Sequence, residues 1–133
     1  AYIHNLDDFW DYYLKNPNGS DPEQLGWRLK YNRDNRGDIY ATHGLGPVAQ
    51  ALNIHRGDRM TTLVAMDTKS VQGKQLVEER TGKPCTEFRN GDHTTTLIQT
   101  AERKVIELQH DVMNPQPYSR LYQLTGTKGF ANK

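Results

Sequence analysis

Two neighbouring segments late in the chain alternate between apolar or β-branched residues and polar ones. Residues 94–100 read Thr-Thr-Thr-Leu-Ile-Gln-Thr, and residues 104–112 read Lys-Val-Ile-Glu-Leu-Gln-His-Asp-Val. A period of two with many β-branched residues is typical of strands. Because residues 101–103 are the only link between the two segments, the strands are expected to pair antiparallel. This pair constrains the fold most, since it requires a largely antiparallel sheet.

The remaining elements are predicted from apolar spacing and from turn signals. Helices are expected over residues 6–14 and 71–80, and Asn90-Gly91 is expected to form a hairpin-type turn. Strands are expected over residues 1–5, 60–67 and 121–127, with a brief one where Trp27, Leu29 and Tyr31 alternate with Arg28 and Lys30. The order of elements predicts an α+β domain, in which an open, largely antiparallel sheet carries helices packed on one side.

Composition excludes several classes of function. The 133 residues have a net charge of +1, which gives no basic field for nucleic acid. No apolar run in these residues is long enough to cross a membrane, and from this sequence we expect no signal peptide. Cys85 is the only cysteine, so neither an internal disulfide nor a cysteine zinc site can form. We expect a single domain over residues 1–133, and a first residue other than Met suggests a piece of a longer protein.

A mid-chain stretch combines two side chains that can move protons. Tyr40 and His43 lie three residues apart, and a Gly-rich turn separates them from Pro47. Proline suits the first turn of a helix, which predicts a helix over residues 47–52 that Asn53 ends. His43 would then lie just before a helix N-terminus, where unpaired N–H groups disfavour imidazolium. A neutral histidine beside a tyrosine is a plausible acid/base pair.

The same stretch also fits a dinucleotide-binding pattern. Residues 44–49 match G-x-G-x-x-A, and the strand that follows ends in Asp67, at about the spacing of a ribose-binding acid. However, the segment before Gly44 is rich in Asn, Asp and Arg and lacks the apolar strand that must precede the motif. The later strands are antiparallel, so no further βαβ unit is available. We therefore rank this interpretation below the Tyr/His site.

The other candidate residues leave alternatives open. None of the histidines has the helical spacing of a metal ligand, and His55 and His93 are best explained as exposed or hydrogen-bonded. His110 could face a cleft, the core or the sheet surface. Tyr118 and Tyr122 could pack or face a ligand, and Arg28 beside Trp27 could bind sugar hydroxyls or form a surface ion pair. A carboxylate-based glycosidase would need two facing acids, and no such pair stands out among these candidates: Asp34, Asp38, Asp58, Asp92 and Asp111.

Several motifs together resemble a known family. They are Gly26-Trp27-Arg28, the run Gly37-Asp-Ile-Tyr-Ala-Thr-His-Gly-Leu-Gly-Pro-Val-Ala49, the segment 54–60, Asn90-Gly91-Asp92-His93, and residues 109–122. Over nearly the whole chain they resemble the C-terminal domain of glycoside hydrolase family 109, the NAD-dependent α-N-acetylgalactosaminidases of bacteria. That family belongs to the oxidoreductase superfamily typified by glucose-fructose oxidoreductase. The resemblance implies a substrate-side α+β domain whose N-terminal Rossmann domain is absent from this sequence.

The resemblance also implies a mechanism. Bound NAD takes hydride from C3 of the sugar, a base removes the hydrogen on C2, and the glycosidic oxygen leaves C1. Water then adds at C1 and hydride returns to C3. Tyrosine and histidine suit this chemistry better than a pair of aspartates. The NAD would be held mainly by the missing domain, so the isolated chain is expected to bind NAD weakly and to turn over little.

Carried over by position, the resemblance assigns roles to particular residues. His43, Tyr2 and His4 would be catalytic, with His43 the leading acid/base residue and Tyr2 a possible base at C2. The substrate-binding set would be Arg28, Tyr40, Ala41, Thr42, His43 and Tyr122. The implied partners are an α-linked N-acetylgalactosamine glycan, the Rossmann domain and a second copy docked on the exposed sheet face, and the implied location is the periplasm or outside the cell. Two alternatives stay open: a non-catalytic sugar-binding or assembly module, and a sugar oxidoreductase of the same superfamily.

Overall fold

The computed structural model describes residues 1–4 and 25–133. Within them lie three helices, α1 (Trp27–Asp34), α2 (Ala41–Ala51) and α3 (Gln72–Thr81), and six strands: β1 (Tyr2–Ile3), β2 (Met60–Asp67), β3 (His93–Thr100), β4 (Val105–Asp111), β5 (Gln123–Gly126) and β6 (Gly129–Asn132). The helix predicted over residues 6–14 lies outside the described residues. No helix in the described part of the chain is long and apolar enough to span a membrane.

Four strands form an open sheet in the order β1-β4-β3-β2. The β3–β4 and β2–β3 pairs are antiparallel, and β1 joins β4 in parallel. The predicted α+β class and the largely antiparallel sheet are therefore confirmed. Strand β2 has the predicted bounds, β3 and β4 match within one residue at each end, and the link at residues 101–103 is the predicted one.

One face of this sheet is covered, and helix α2 packs on it. The even-numbered residues of β3 and β4 are buried, and the apolar ones among them, Ile98, Ile106 and Leu108, form a cluster. Helix α2 packs against that cluster through three partly buried residues, the last of them at the C-terminal end of the helix: Leu45, Val48 and Leu52. A second cluster joins the end of β4 to α1 and α3 through Leu29, Val77, Phe88 and Val112, among others. The opposite face of β2, β3 and β4 exposes several apolar side chains.

The region around Trp27 is a helix, so the predicted brief strand is wrong. The buried residues of α1 are Leu29, Asn32 and Arg33, and a spacing of three and four residues is that of one helix face. The alternation of Trp27, Leu29 and Tyr31 with charged residues was misleading because Trp27 and Tyr31 are both about half exposed. The buried polar residue Asn32, which an apolar pattern does not register, completes the inner face.

Helix α2 begins at Ala41, six residues before the predicted start at Pro47. Pro47 therefore lies inside the helix rather than in its first turn. A proline in a helix interior removes one hydrogen bond, here the one from residue 47 to the carbonyl of His43. That carbonyl accepts a hydrogen bond from the hydroxyl of Tyr122 instead. The helix can thus continue through Pro47 because a distant side chain supplies the missing donor.

The Asn90-Gly91 pair is not a hairpin turn, and this prediction is also wrong. It lies between α3 and β3, where the backbone of Arg89 and Asn90 donates to Arg33 and Asn32. A Cβ on Gly91 would collide with the carbonyl oxygen of Thr68. The glycine is therefore explained by close backbone approach rather than by turn geometry.

At the end of the chain, the strand predicted over residues 121–127 is shorter, and a further strand was not predicted. Strand β5 pairs antiparallel with β6 in a separate two-stranded sheet. All four residues of β6 are exposed, so the sequence has no inward-facing apolar pattern there. Helix α3 was predicted within one residue at each end, and Gly82 ends it in the left-handed conformation, with φ +66°.

Candidate functional site

Four of the side chains singled out in the sequence lie together as a group of rings. The ring centroid of Tyr2 lies 4.4 Å from that of His4, 4.9 Å from that of Tyr40 and 5.3 Å from that of His43. The rings of Tyr40 and His43 are 5.8 Å apart. His110 joins the group on the sheet side, 6.0 Å from Tyr2 and 6.1 Å from Tyr40. We call these five residues the aromatic cluster.

Strand register explains why the two ends of the sequence meet here. Tyr2 of β1 is the Cα partner of His110 of β4, and His110 is also the partner of Thr94 of β3. The three side chains therefore form one row across the sheet. Strand β1 is held in place by His4 N–H donating to the carbonyl of Asp111 and by a two-way bridge between Ile3 and Ser119. The row positions Tyr2 and His4 against the start of α2.

The loop that carries Tyr40 is fixed at three points. Arg36 donates two hydrogen bonds of 2.7 Å to the carboxylate of Asp67 at the end of β2. Gly37 N–H donates to the side-chain oxygen of Asn90 at 2.9 Å. The backbone N–H of Tyr40 itself donates to Asp38 at 3.1 Å, and burial raises the pKa of that aspartate. These bonds set the position of the Tyr40 ring before the helix begins.

His43 lies within the first turn of α2 rather than before the helix, which corrects the predicted position. It is the third helical residue, and its backbone N–H donates to the carbonyl of Tyr40 at 3.1 Å. Its imidazole is exposed to solvent, whereas His4 and His110 are buried. The aromatic cluster therefore has one solvent-facing end, at His43, and a buried end on the sheet.

Two histidines of the aromatic cluster are held neutral at pH 7. Burial, followed by electrostatic repulsion from Arg120 and His43, lowers the pKa of His4 to about 4. Burial also lowers the pKa of His110 to about 4, with Asp111 opposing the shift and His93 and His4 adding to it. A neutral imidazole provides one donor and one acceptor, so both residues can exchange hydrogen bonds without carrying charge.

Arg120 and Tyr118 contact the aromatic cluster, and sequence reasoning did not assign them to the site. The Arg120 guanidinium lies 5.1 Å from the ring centroid of Tyr2 and 5.7 Å from that of Tyr118. Tyr118 in turn meets His4 edge-on at 4.7 Å. Their position follows from the bridge between Ile3 and Ser119, a long-range pairing for which the local sequence carries no signal.

The remaining predicted substrate residues have varied surroundings. The guanidinium of Arg28 lies 4.2 Å from the ring centroid of Trp27 on α1. Ala41 and Thr42 are the first two residues of α2, directly between Tyr40 and His43. The Tyr122 hydroxyl is engaged by the carbonyl of His43. Arg120, rather than Arg28, is the guanidinium that the structure shows against the Tyr2 ring.

The described residues enclose a cavity of about 710 Å³ next to helix α2. It lies between α2, β4 and the β5 strand, and Gly44, Val48, Leu108 and Tyr122 are among its lining residues. None of the five residues of the aromatic cluster lines this cavity. Tyr122 links the two places, because it lines the cavity and bonds to His43.

The aspartates considered for catalysis are engaged in holding the fold. Asp92 accepts hydrogen bonds from the first backbone N–H groups of α3. Asp58 pairs with Lys104 at 3.0 Å, and Asp34 pairs with Lys30 and Arg33. Asp111 is fully buried and accepts from His93, Asn114 and Gln116, among others. In the described part of the chain, no group of His, Cys, Asp or Glu side chains is arranged to hold a metal ion.

The G-x-G-x-x-A motif does not form a phosphate-binding loop. Gly44, Gly46 and Ala49 all lie inside α2, and no strand precedes that helix directly. A dinucleotide site needs these glycines in the turn between a strand and a helix. The motif in this chain therefore does not fit a bound dinucleotide.

Comparison with known proteins agrees with the motifs. A family model described as "Glycosyl hydrolase 109, C-terminal domain" matches residues 2–133. The chain is 74% identical to glycosyl hydrolase family 109 protein 5 of Phocaeicola vulgatus over 133 residues, which is 100% of this chain and 25% of that protein. It is 56% identical to family 109 proteins of Bacteroides thetaiotaomicron and Porphyromonas gingivalis, again over the whole chain and 26% of each relative. The chain thus spans about a quarter of the length of these relatives. It belongs to glycosyl hydrolase family 109 and corresponds to the family's C-terminal domain.

Proposed function

We propose that this chain forms the sugar-facing, acid/base part of an NAD-dependent α-N-acetylgalactosaminidase. The observation that supports this most directly is the contact of Tyr2 with His4, Tyr40 and His43, whose rings lie within 4.4–5.3 Å of it. Tyrosine and neutral histidine can donate and accept protons without a permanent charge. Family membership supports a glycosidase, and the aspartates considered for catalysis accept hydrogen bonds or form ion pairs that hold the fold.

The burial and position of each residue suggest which proton-transfer step it performs. His43 is the exposed imidazole, so it is the group best placed to exchange a proton with the glycosidic oxygen or with water. Tyr2 lies centrally in the aromatic cluster, and the Arg120 guanidinium lies 5.1 Å from its ring centroid. Tyr2 is therefore our candidate for the base at C2 of the sugar, and His4 and Tyr40 hold its ring from two sides.

NAD would be held by other parts of the full-length protein, because the glycines of this chain lie in a helix. When bound, NAD supplies the transient oxidation at C3 that makes the hydrogen on C2 acidic. The residues of this chain would bind the sugar, orient it and move the protons. The proposed partners are accordingly an α-linked N-acetylgalactosamine glycan and a cofactor-binding Rossmann domain.

The proposal is tested in the full-length protein with an aryl α-N-acetylgalactosaminide. We expect release of the aglycone and of free sugar with no net formation of NADH, and His43→Ala should reduce kcat by at least about 100-fold. His55→Asn is the matched control, because His55 is an exposed histidine in a turn away from the aromatic cluster.

Other results would favour other functions. Net NADH without aglycone release would indicate a sugar oxidoreductase of the same superfamily. Sugar binding without turnover, unaffected by His43→Ala, would indicate a binding or assembly module.

A further inference from the structure

His110 is a buried polar residue that none of the roles above uses. Its side chain lies on the covered face of β4, and the residue is 1% exposed. Neither of its ring nitrogens has a hydrogen-bond partner among the described residues. The hydroxyl of Thr94, its cross-strand partner on β3, is buried and also lacks a partner within that part of the chain. Within the described part of the chain, two neighbouring side chains therefore leave three polar atoms without partners.

Burying these unpaired polar atoms destabilises the folded protein, and apolar residues could replace both side chains. A buried polar atom without a partner destabilises the fold, whereas an apolar side chain of similar shape at the same position is nearly neutral or stabilising. Phenylalanine at 110 and valine at 94 would fill similar space. Because His110 also stacks on Tyr2 and Tyr40, its polarity lies where the proposed chemistry occurs.

The surroundings of His110 keep its imidazole neutral. Burial is the main cause, and the neighbouring charges partly cancel: Asp111 on its own strand favours protonation, while His93 on β3 and His4 beyond β1 disfavour it. Among the described residues, the rings of Tyr2 and Tyr40 also face it. A neutral ring has one donor and one acceptor, and the Thr94 hydroxyl adds a donor and two acceptor sites. One ring nitrogen and the Thr94 hydroxyl together offer the donor and the acceptor that a single hydroxyl group needs.

We propose that His110 is a polar residue of the site, and that one of its ring nitrogens and the Thr94 hydroxyl together bind one hydroxyl group beside the Tyr2 and Tyr40 rings. The hydroxyl belongs either to the bound sugar or to a water molecule. If the hydroxyl is that of a water molecule, His110 acts on the sugar only through the two tyrosines that its ring stacks on; if it is the sugar's own, the contact is direct. This inference rests on the proposed glycosidase function and adds to it a polar subsite on the sheet.

The experiment compares variants of the full-length protein in steady-state kinetics and thermal unfolding. His110→Phe keeps a ring and removes the nitrogens, whereas His110→Gln keeps a donor and an acceptor without the ring. We expect His110→Phe to lower kcat/KM at least tenfold and His110→Gln to recover part of that loss. Thr94→Val should act in the same direction as His110→Phe. Thr100→Val is the control, because Thr100 is buried on the same strand but its hydroxyl accepts from Lys104 N–H.

The two sources of the hydroxyl give different results. If it belongs to the sugar, His110→Phe raises KM and raises Tm, because the resting protein no longer buries unpaired nitrogens. If it belongs to water, kcat falls at unchanged KM and Tm also falls. Unchanged kcat and KM in His110→Phe, with an active wild-type protein, would overturn the inference. An inactive wild-type protein would instead contradict the proposed function.

Discussion

The hydroxyl of Tyr122 donates to the backbone carbonyl of His43, the carbonyl that Pro47 leaves without its helical donor. One side chain near the end of the chain thus repairs the helix that carries the proposed acid/base residue. Tyr122 was expected to bind substrate, and the contact gives it a second role that can be separated from the first.

A double-mutant cycle with Pro47 tests that role. Tyr122→Phe should lower the free energy of unfolding by about 1 kcal/mol, since it leaves the carbonyl of His43 unpaired. Pro47→Ala restores a backbone N–H at position 47, so the loss caused by Tyr122→Phe should shrink in that background. Chemical denaturation of the four proteins measures the coupling. If activity also recovers in the double variant, Tyr122 acts through the helix; if stability alone recovers, its hydroxyl contacts the sugar.

Tyr40→Phe separates ring packing from proton transfer. The ring stacks on Tyr2 at 4.9 Å, and phenylalanine preserves that contact. We expect little change in Tm and a fall in kcat of about 100-fold if the hydroxyl takes part in acid/base chemistry. Tyr31→Phe, on the exposed side of α1, is the control. Full activity of Tyr40→Phe would leave Tyr40 with a packing role only.

The two-hydrogen-bond ion pair between Arg36 and Asp67 should contribute more to the free energy of unfolding than an exposed surface ion pair does. Asp67 is 10% exposed by side chain, it also accepts from Gly91 N–H, and the hydrogen bond from Arg36 lowers its pKa. Asp67→Asn should therefore cost about 1–2 kcal/mol of unfolding free energy. Glu87→Gln removes the exposed pair between Lys74 and Glu87 and should cost under about 0.5 kcal/mol. If Asp67→Asn and Glu87→Gln lower the free energy of unfolding equally in urea denaturation, the ion pair between Arg36 and Asp67 does not anchor the loop that carries Tyr40.

Acid should destabilise the protein through His110. Its pKa is about 4 in the folded chain and 6.5 when unfolded, so between these values the unfolded state binds more protons. Stability from this residue is present above pH 6.5 and falls as the pH drops toward 4, by roughly 3 kcal/mol in all. Denaturation at several pH values should show a shallower slope for His110→Phe than for the wild type. Identical slopes would mean that His110 titrates normally.

The uncovered sheet face predicts self-association. Val64 pairs with Leu97 on the face opposite α2, and both side chains are about half exposed. Met66 and Val105 lie on the same face and are 75% and 64% exposed. Contiguous exposed apolar residues are characteristic of an interface. We propose a second copy as the occupant, so Leu97→Lys should convert a dimer to a monomer in analytical ultracentrifugation. Leu63→Lys is the control, because Leu63 is equally exposed on the other face. A wild-type monomer at high concentration would contradict the proposal.

The parts of the fold that were predictable are those with a local signal. Strands β3 and β4 alternate cleanly, and β2 has an apolar centre, so their bounds were right or nearly so. Helix α1 was missed because part of its buried face is polar, with Asn32 bonded to Asn90 in the interior. The start of α2 was misplaced because Pro47 is tolerated only through Tyr122. Neither compensation can be read from residues nearby in the sequence.

The site was predictable only in part, for the same reason. Tyr40 and His43 are close in sequence, and resemblance brought in Tyr2 and His4. His110 joins them through the parallel pairing of β1 with β4, and Arg120 follows the bridge between Ile3 and Ser119. Register between distant strands is set by the whole sheet. Periodicity therefore identified His110 as a strand residue but left the direction of its side chain open.

The bridge that clamps Ile3 to Ser119 also determines when the site can exist. As the full-length protein is synthesised, Tyr2 and His4 leave the ribosome before the rest of this chain, and they can dock only after β4 and the segment around Ser119 have been made. Until then the ring of Tyr2 lacks its contact with His110 of β4. Catalytic competence should accordingly appear late, in one step with completion of the sheet, and a chain truncated before Ser119 should be inactive even where α2 has already formed.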